Sequence, residues 1–160
     1  MTAHGLPEAL LAYRIGDPTG RYPIYDPTGA QLFPGRWNTA AAPIIYASRH
    51  LSTAMLEMLV HGNGQIPARQ HFIEISIPAG VTYEVFSADH HPDWHRADTV
   101  VASAFGAAWY DQMRSAVLFV PSLVARIEQN VLINPKHPDA ARIRPGLHQL
   151  LWWDKRLFVS

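Results

Sequence analysis

Glu57 sits in a stretch, Arg49 to His61, in which Leu51, Ala54, Met55, Met58 and Leu59 recur at i, i+3, i+4, i+7 and i+8. That spacing predicts an amphipathic helix, closed by Gly62 and Gly64 and opened by Ser48 as N-cap. At about 100° per residue, Glu57 lies away from the centre of the apolar stripe, on the side of His50, Thr53 and His61. It is either part of a solvated polar face or a catalytic carboxylate held on a rigid element. Arg36 stands in Gly35-Arg36-Trp37-Asn38. The glycine allows close backbone approach, and the guanidinium fork matches a phosphate or carboxylate. A turn with Arg stacked on Trp accounts for the same residues. Arg14 follows Tyr13 at the end of a predicted first strand, as a second anion clamp or a surface charge. Tyr46 closes the next strand just before the helix of Glu57, as a core tyrosine or a pocket wall.

Ser122 ends the most apolar run of the chain, in Val120-Pro121-Ser122. A serine there is a turn or cap residue. No G-x-S-x-G elbow surrounds it, which argues against a hydrolase nucleophile. Asn130, Asn134 and His137 gather in the run from Asn130 to Pro138, where turn formation at Asn134-Pro135 is an equal explanation. His50, Glu57 and His61 lack the H-E-x-x-H pattern. His90, His91 and His95 lack a carboxylate set. Neither group is read as a metal site, and no metal is expected. There is no G-x-G-x-x-G and no Walker A pattern.

The elements that must position these residues are short, because 13 Pro and 10 Gly cut the chain throughout. Strands are expected at Leu10–Ile15, Ile44–Ala47, Phe72–Ile77, Val81–Phe86, Ala116–Val120 and Asn130–Ile133, with an edge strand at Leu157–Val159. Pro78-Ala79-Gly80 reads as the turn of a hairpin between the third and fourth of these. Asp98–Met113 is Ala-rich and predicts a second helix. Gly16–Pro34 reads as a long loop bearing two near-copies of one turn signal, Asp17-Pro18-Thr19-Gly20 and Asp26-Pro27-Thr28-Gly29. Strands and helices mix without regular β-α-β alternation. The expectation is an α+β fold with a mixed, mainly antiparallel sheet and a few helices.

The chain has 160 residues, which suits a single domain over 1–160. It carries 13 Lys plus Arg and 13 Asp plus Glu, so the formal net charge is +0, with no global pull toward nucleic acid or anionic lipid. An apolar fraction of 48% against 16% charged residues argues for a packed globule. With Cys 0, disulfides, thiolate–zinc sites and cysteine nucleophiles are excluded. No signal peptide or apolar span of membrane length is seen, so a soluble, cytoplasmic protein is expected.

Taken in order, Tyr13-Arg14, Gly35-Arg36-Trp37-Asn38, Tyr46-Ala47-Ser48, Ala54-Met55-Leu56-Glu57, Val120-Pro121-Ser122, Glu128-Gln129-Asn130 through Asn134-Pro135-Lys136-His137-Pro138, and Trp153-Asp154-Lys155-Arg156-Leu157-Phe158 resemble the RES domain, over nearly the whole chain. Each motif alone is weak, while their joint order and spacing is specific. Ala41 departs from the pattern, standing where the family has Gly.

The resemblance implies the toxin of a bacterial toxin–antitoxin pair, with a fold similar to that of ADP-ribosyltransferase toxins. The implied activity is cleavage of NAD at the nicotinamide–ribose bond, with ADP-ribose passing to water, to phosphate or to a protein such as phosphoribosyl pyrophosphate synthetase. NAD is then a substrate. On the residues present, the resemblance implies Arg14 and Arg36 as pyrophosphate or ribose anchors, and Tyr46 on the nicotinamide. Glu57 stabilises the oxocarbenium, Ser122 positions the ribose or a neighbouring Arg, and Asn134 and His137 line the pocket. The implied partner is an Xre-like antitoxin that plugs the cleft in a hetero-oligomer. The competing class is a non-enzymatic binding module using an aromatic patch such as Trp152-Trp153.

Overall fold

In the computed structural model, which describes residues 3–65 and 67–158, the apolar runs fold into a single mixed sheet. Its strands are β1 (His4–Gly5), β2 (Leu10–Gly16), β3 (Ile45–Ser48), β4 (His71–Ile77), β5 (Thr82–Val85), β6 (Val117–Pro121), β7 (Gln129–Ile133), β8 (Arg144–Pro145) and β9 (Gln149–Leu150). The helices are α1 (Thr28–Leu32), α2 (Leu51–His61) and α3 (Val100–Asp111). The strand order is β1-β5-β6-β7-β3-β2-β4-β8, with β9 also on β4. Among the described strands β5 and β6 run parallel and every other pair is antiparallel.

Continuous apolarity in β6 and β7 has a simple cause. Val117, Phe119, Val131 and Ile133 enter one core cluster, together with Ala12, Ile45, Ile73, Ile75 and Ile77. Leu118, Val120 and Leu132 point the other way, into a second cluster with Ile44, Trp37, Phe86, Trp94 and Trp109. Both faces of these central strands are covered, so neither can be polar.

α3 closes the second cluster. Its Trp109 is fully buried, and the indole Nε1 donates to Ser115 Oγ at 2.8 Å. Beside it Arg114 and Glu84 form a two-pronged ion pair, one arm at 3.0 Å, with the Glu84 side chain almost wholly buried. Gly106 faces the loop of Arg36: a Cβ at this position would overlap the Trp37 carbonyl oxygen.

Four expectations are corrected. β4 and β5 do not form a hairpin. β4 pairs with β2, β8 and β9, whereas β5 pairs with β1 and β6, because the turn at Pro78–Gly80 is captured by the amino-terminal segment through Gly80 N–H to Leu6 O at 2.8 Å. Ser48 is the last residue of β3, and His50 occupies the N-cap position of α2 without a side-chain cap bond. The long loop contains α1, which buries Ala30. Lys155–Leu157 is a 3-10 turn and not the start of an edge strand; Val159 lies outside the described residues.

Candidate active site

β2 and β3 touch at a single register pair, Tyr13 opposite Ser48, and β3 continues beside β7 with Ser48 opposite Asn130. α2 leaves the sheet at this point. Thr53 is buried and Glu57 half-buried, while His50 and His61 at the two ends of the same side are exposed, so only the middle of the polar side, with Glu57, faces protein.

Glu57 meets two partners from distant strand ends. Ser122 donates from Oγ to Glu57 Oε1 at 2.7 Å, and Asn130 donates from Nδ2 to the same oxygen at 3.0 Å. Ser122 is fully buried and its oxygen also accepts the Ala125 N–H at 3.1 Å. Asn130 Oδ1 in turn accepts Ser48 Oγ at 2.7 Å. The result is a chain of hydrogen bonds, Ser48 to Asn130 to Glu57, joined at one carboxylate oxygen by Ser122. In the sequence Ser48 reads as a helix cap and Asn130 as part of a motif, and neither reading brings them to Glu57. The strand register that brings them to Glu57 is long-range pairing, which no local pattern carries.

The two arginines are held by main-chain carbonyls. Arg14 donates from Nε to Ile24 O at 2.6 Å and from a terminal nitrogen to Tyr46 O at 2.7 Å. Burial pulls its guanidinium below the ordinary arginine range, with Asp26 opposing. Arg36 donates from one terminal nitrogen to Trp94 O at 3.1 Å and Arg96 O at 2.7 Å. Its Nε and other terminal nitrogen make none of these bonds, which leaves one edge of the fork for an anion.

Tyr46 clamps the Arg36 loop from below. Its hydroxyl donates to Asn38 Oδ1 at 2.7 Å and accepts the Trp37 N–H at 3.1 Å. Asn38 closes the turn by accepting the Gly35 N–H at 2.8 Å and donating to Ala30, Thr39 and Ala42 carbonyls. A Cβ on Gly35 would come within 2.7 Å of the Tyr46 hydroxyl, so only glycine fits. Burial raises the Tyr46 phenol.

Asn134 and His137 are not brought to Glu57. Asn134 is fully buried past the far end of β7, where its amide donates to Tyr110 O at 3.2 Å and its oxygen accepts the Lys136 N–H at 3.0 Å. His137 caps a 3-10 turn by accepting the Asp139 N–H at 3.1 Å. Their motif reflects a turn. His50 pairs with Glu128 at 3.1 Å, and His91 faces Ser87 O at 3.2 Å against Phe86. Among the described residues no group of three or more His, Asp or Glu is placed to hold a metal. Of the Trp pair, Trp153 is buried and Trp152 is exposed.

A groove of about 970 Å³ is lined by Tyr13, Arg49, His50, Tyr83, Phe119 and Gln129 among others, and by none of Arg14, Arg36, Tyr46, Glu57 or Ser122. Tyr13, Arg49 and Gln129 are chain neighbours of Arg14, Ser48 and Asn130, so the groove abuts the network without containing it. The candidate site is placed by the convergence on Glu57, because a half-buried carboxylate with one oxygen accepting two hydrogen bonds and the other without a hydrogen-bond partner among the described residues is chemically poised, and hollow volume alone is not.

The mixed sheet matches that of a class of known proteins. The family model described as RES domain covers residues 11–154. A relative from Sphingobium sp. (strain YBL2) named "Prs ADP-ribosylating toxin" is 36% identical over 134 residues, spanning 81% of this chain and 83% of the relative. "Toxin Res" of Photorhabdus laumondii is 29% identical over 133 residues, with 81% and 85% covered. "Toxin Res" of Pseudomonas putida is 32% identical over 71% of this chain and 79% of its own length. A chain in the crystal structure of the M. tuberculosis MbcT–MbcA toxin–antitoxin complex shares the fold, with TM-score 0.72 at 13% identity over 91% of this chain and 86% of that one. This chain therefore belongs to the RES domain family.

Proposed function

We propose that this protein is the toxin of a toxin–antitoxin pair acting in the cytoplasm, and that it uses NAD as substrate to transfer ADP-ribose. The observation that carries the reading is the convergence of Ser122 and Asn130 on one oxygen of Glu57, in a chain whose relative is named for ADP-ribosylation. Breaking the bond between ribose C1′ and the nicotinamide nitrogen sends the electron pair to the ring, which leaves neutral. The sugar carries oxocarbenium character, and the acceptor oxygen bonds C1′ and gives up its proton. A fixed carboxylate beside the ribose stabilises that developing charge without reorganising. Glu57 is the group proposed for this, with its Oε2 toward the ribose hydroxyls.

Ser122 holds the carboxylate in place. Arg36 offers the free edge of its fork to the pyrophosphate, and Arg14 supports that site by tying the backbone of Tyr46 to Ile24 while keeping one terminal nitrogen for substrate. Tyr46 places its ring under the Arg36 loop, where nicotinamide would stack. An antitoxin partner of the Xre type is proposed to cover this cleft. The acceptor is water, phosphate or a protein.

The test is a mass-resolved NAD assay on the purified chain, free of antitoxin, in buffer, with inorganic phosphate, and with a cell lysate. Nicotinamide with free ADP-ribose marks a glycohydrolase, and phosphorylated ADP-ribose a phosphorylase. A mass gain on a lysate protein marks a transferase. A folded chain that releases no nicotinamide in any arm would overturn the enzyme reading and favour the binding module.

A further inference from the structure

We infer that Asn130, with Ser48 behind it, is the positioning residue that holds the Glu57 carboxylate in a fixed orientation toward the substrate. The inference rests on the reading of Glu57 as the group beside the ribose.

The geometry is directional. Glu57 comes from α2, whose only hold on its carboxylate is a flexible side chain with three rotatable bonds. Two donors from different strand ends meet it, Ser122 after β6 and Asn130 at the start of β7, and both choose Oε1, at 2.7 and 3.0 Å. With Oε1 carrying two hydrogen bonds, its lone pairs are spent, and Oε2 keeps its full capacity for a hydroxyl or a developing positive charge. A carboxylate held at one oxygen by two donors cannot swing without losing both.

The Glu57 carboxylate and Ser48 together orient the Asn130 amide. An asparagine amide can turn over, and the turned form would set its oxygen against the Glu57 carboxylate. The acceptor-only carboxylate takes Nδ2, and Ser48 Oγ donates to Asn130 Oδ1 at 2.7 Å, which holds the amide oxygen on the side away from Glu57. Ser48 is buried and sits opposite both Tyr13 on β2 and Asn130 on β7. The orientation of Glu57 is thus fixed from the middle of the sheet, at the place where β2 and β3 part.

A double-mutant cycle with Glu57→Gln tests this, reading nicotinamide release and thermal midpoint on the full chain. Asn130→Ala and the isosteric Asn130→Asp should each lower kcat by about 10- to 100-fold, the scale of a misplaced reacting group, with KM for NAD changed less than threefold. Ser48→Ala should lower kcat by about 3- to 10-fold. In the Glu57→Gln background Asn130→Ala should cost less than about twofold more, since the group it positions is already lost. A full additional loss in that background would show that Asn130 acts elsewhere and overturn the inference. So would wild-type kcat in the folded single variants. If Asn130→Ala does not fold, Ser48→Ala in the same cycle decides by the same criterion. A wild-type chain that releases no nicotinamide would sink the NAD reading and this inference together. An active wild type with additive variants would sink this inference alone.

Discussion

Gly106 in α3 lies directly against the main chain of Trp37, so close that the smallest side chain would collide with the Trp37 carbonyl. This contact sets the distance between the helix and the loop bearing Arg36. In a free helix, Gly→Ala would stabilise by about 1 kcal/mol. Here the alanine must push main chain aside, and overpacking of this kind costs about 1–3 kcal/mol or more. Gly106→Ala should therefore lower the thermal midpoint, and it should weaken NAD binding more than a cavity variant such as Val117→Ala of equal midpoint. Differential scanning calorimetry and NAD titration check the two halves.

Glu57→Gln keeps the volume of the side chain, and its amide oxygen still accepts from Ser122 and Asn130. The fold should be unaffected. NAD turnover should fall by about 100-fold or more, the loss of roughly 3 kcal/mol expected for one electrostatic contributor to a charged transition state. Steady-state nicotinamide release against a matched circular dichroism spectrum separates this from unfolding. Undiminished turnover would remove Glu57 from the mechanism.

The arginines should part company. Arg36→Lys loses the planar fork, so KM for NAD should rise by about 10-fold while stability changes little. Arg14→Gln leaves the carbonyls of Ile24 and Tyr46 short of strong donors in a largely buried setting. It should destabilise by about 3 kcal/mol and reduce activity mainly through that loss. Urea midpoints beside KM values for both variants are the measurement.

Tyr25 gives the protein an alkaline limit. Burial raises its phenol from the ordinary value to about 12, whereas the unfolded chain ionises near 10. The contribution is whole below about pH 10 and is lost as the pH climbs toward about 12, because the unfolded state releases its proton first. Tyr46 is shifted in the same direction by burial. Urea midpoints from about pH 8 to about pH 12 should fall across this window, and Tyr25→Phe should flatten the fall.

What could be seen in the sequence follows from range. β6 and α2 are announced by local pattern, an unbroken apolar run and an i, i+3, i+4 stripe, because each buries its surface in a way its own residues must encode. The pairing of β4 with β2 is not announced. The turn Pro78–Gly80 looks like a hairpin turn, and only Leu6, over seventy residues earlier, redirects it. Glu57 was named from motif order, but its burial was not, since Thr53 and Glu57 are polar and the rule that sorts faces by polarity places them outside. For Asn134 and His137 the sequence leaves pocket and turn equally open, and in the fold both hold turns away from Glu57. A serine just before a helix predicts a cap, while the Ser48 hydroxyl is committed to Asn130 on the neighbouring strand β7.

The bonds that converge on Glu57 span 65 and 73 residues of chain, and the Ser48–Asn130 bond spans 82. During synthesis the segment carrying Glu57 therefore has no fixed carboxylate to offer until β7 has left the ribosome. At a translation rate of about 5–20 residues per second, the interval between making Glu57 and making Asn130 is on the order of several seconds. A nascent chain interrupted anywhere in that interval lacks the donor that completes the network, and a cell making this protein meets the assembled site only once Asn130 has been made.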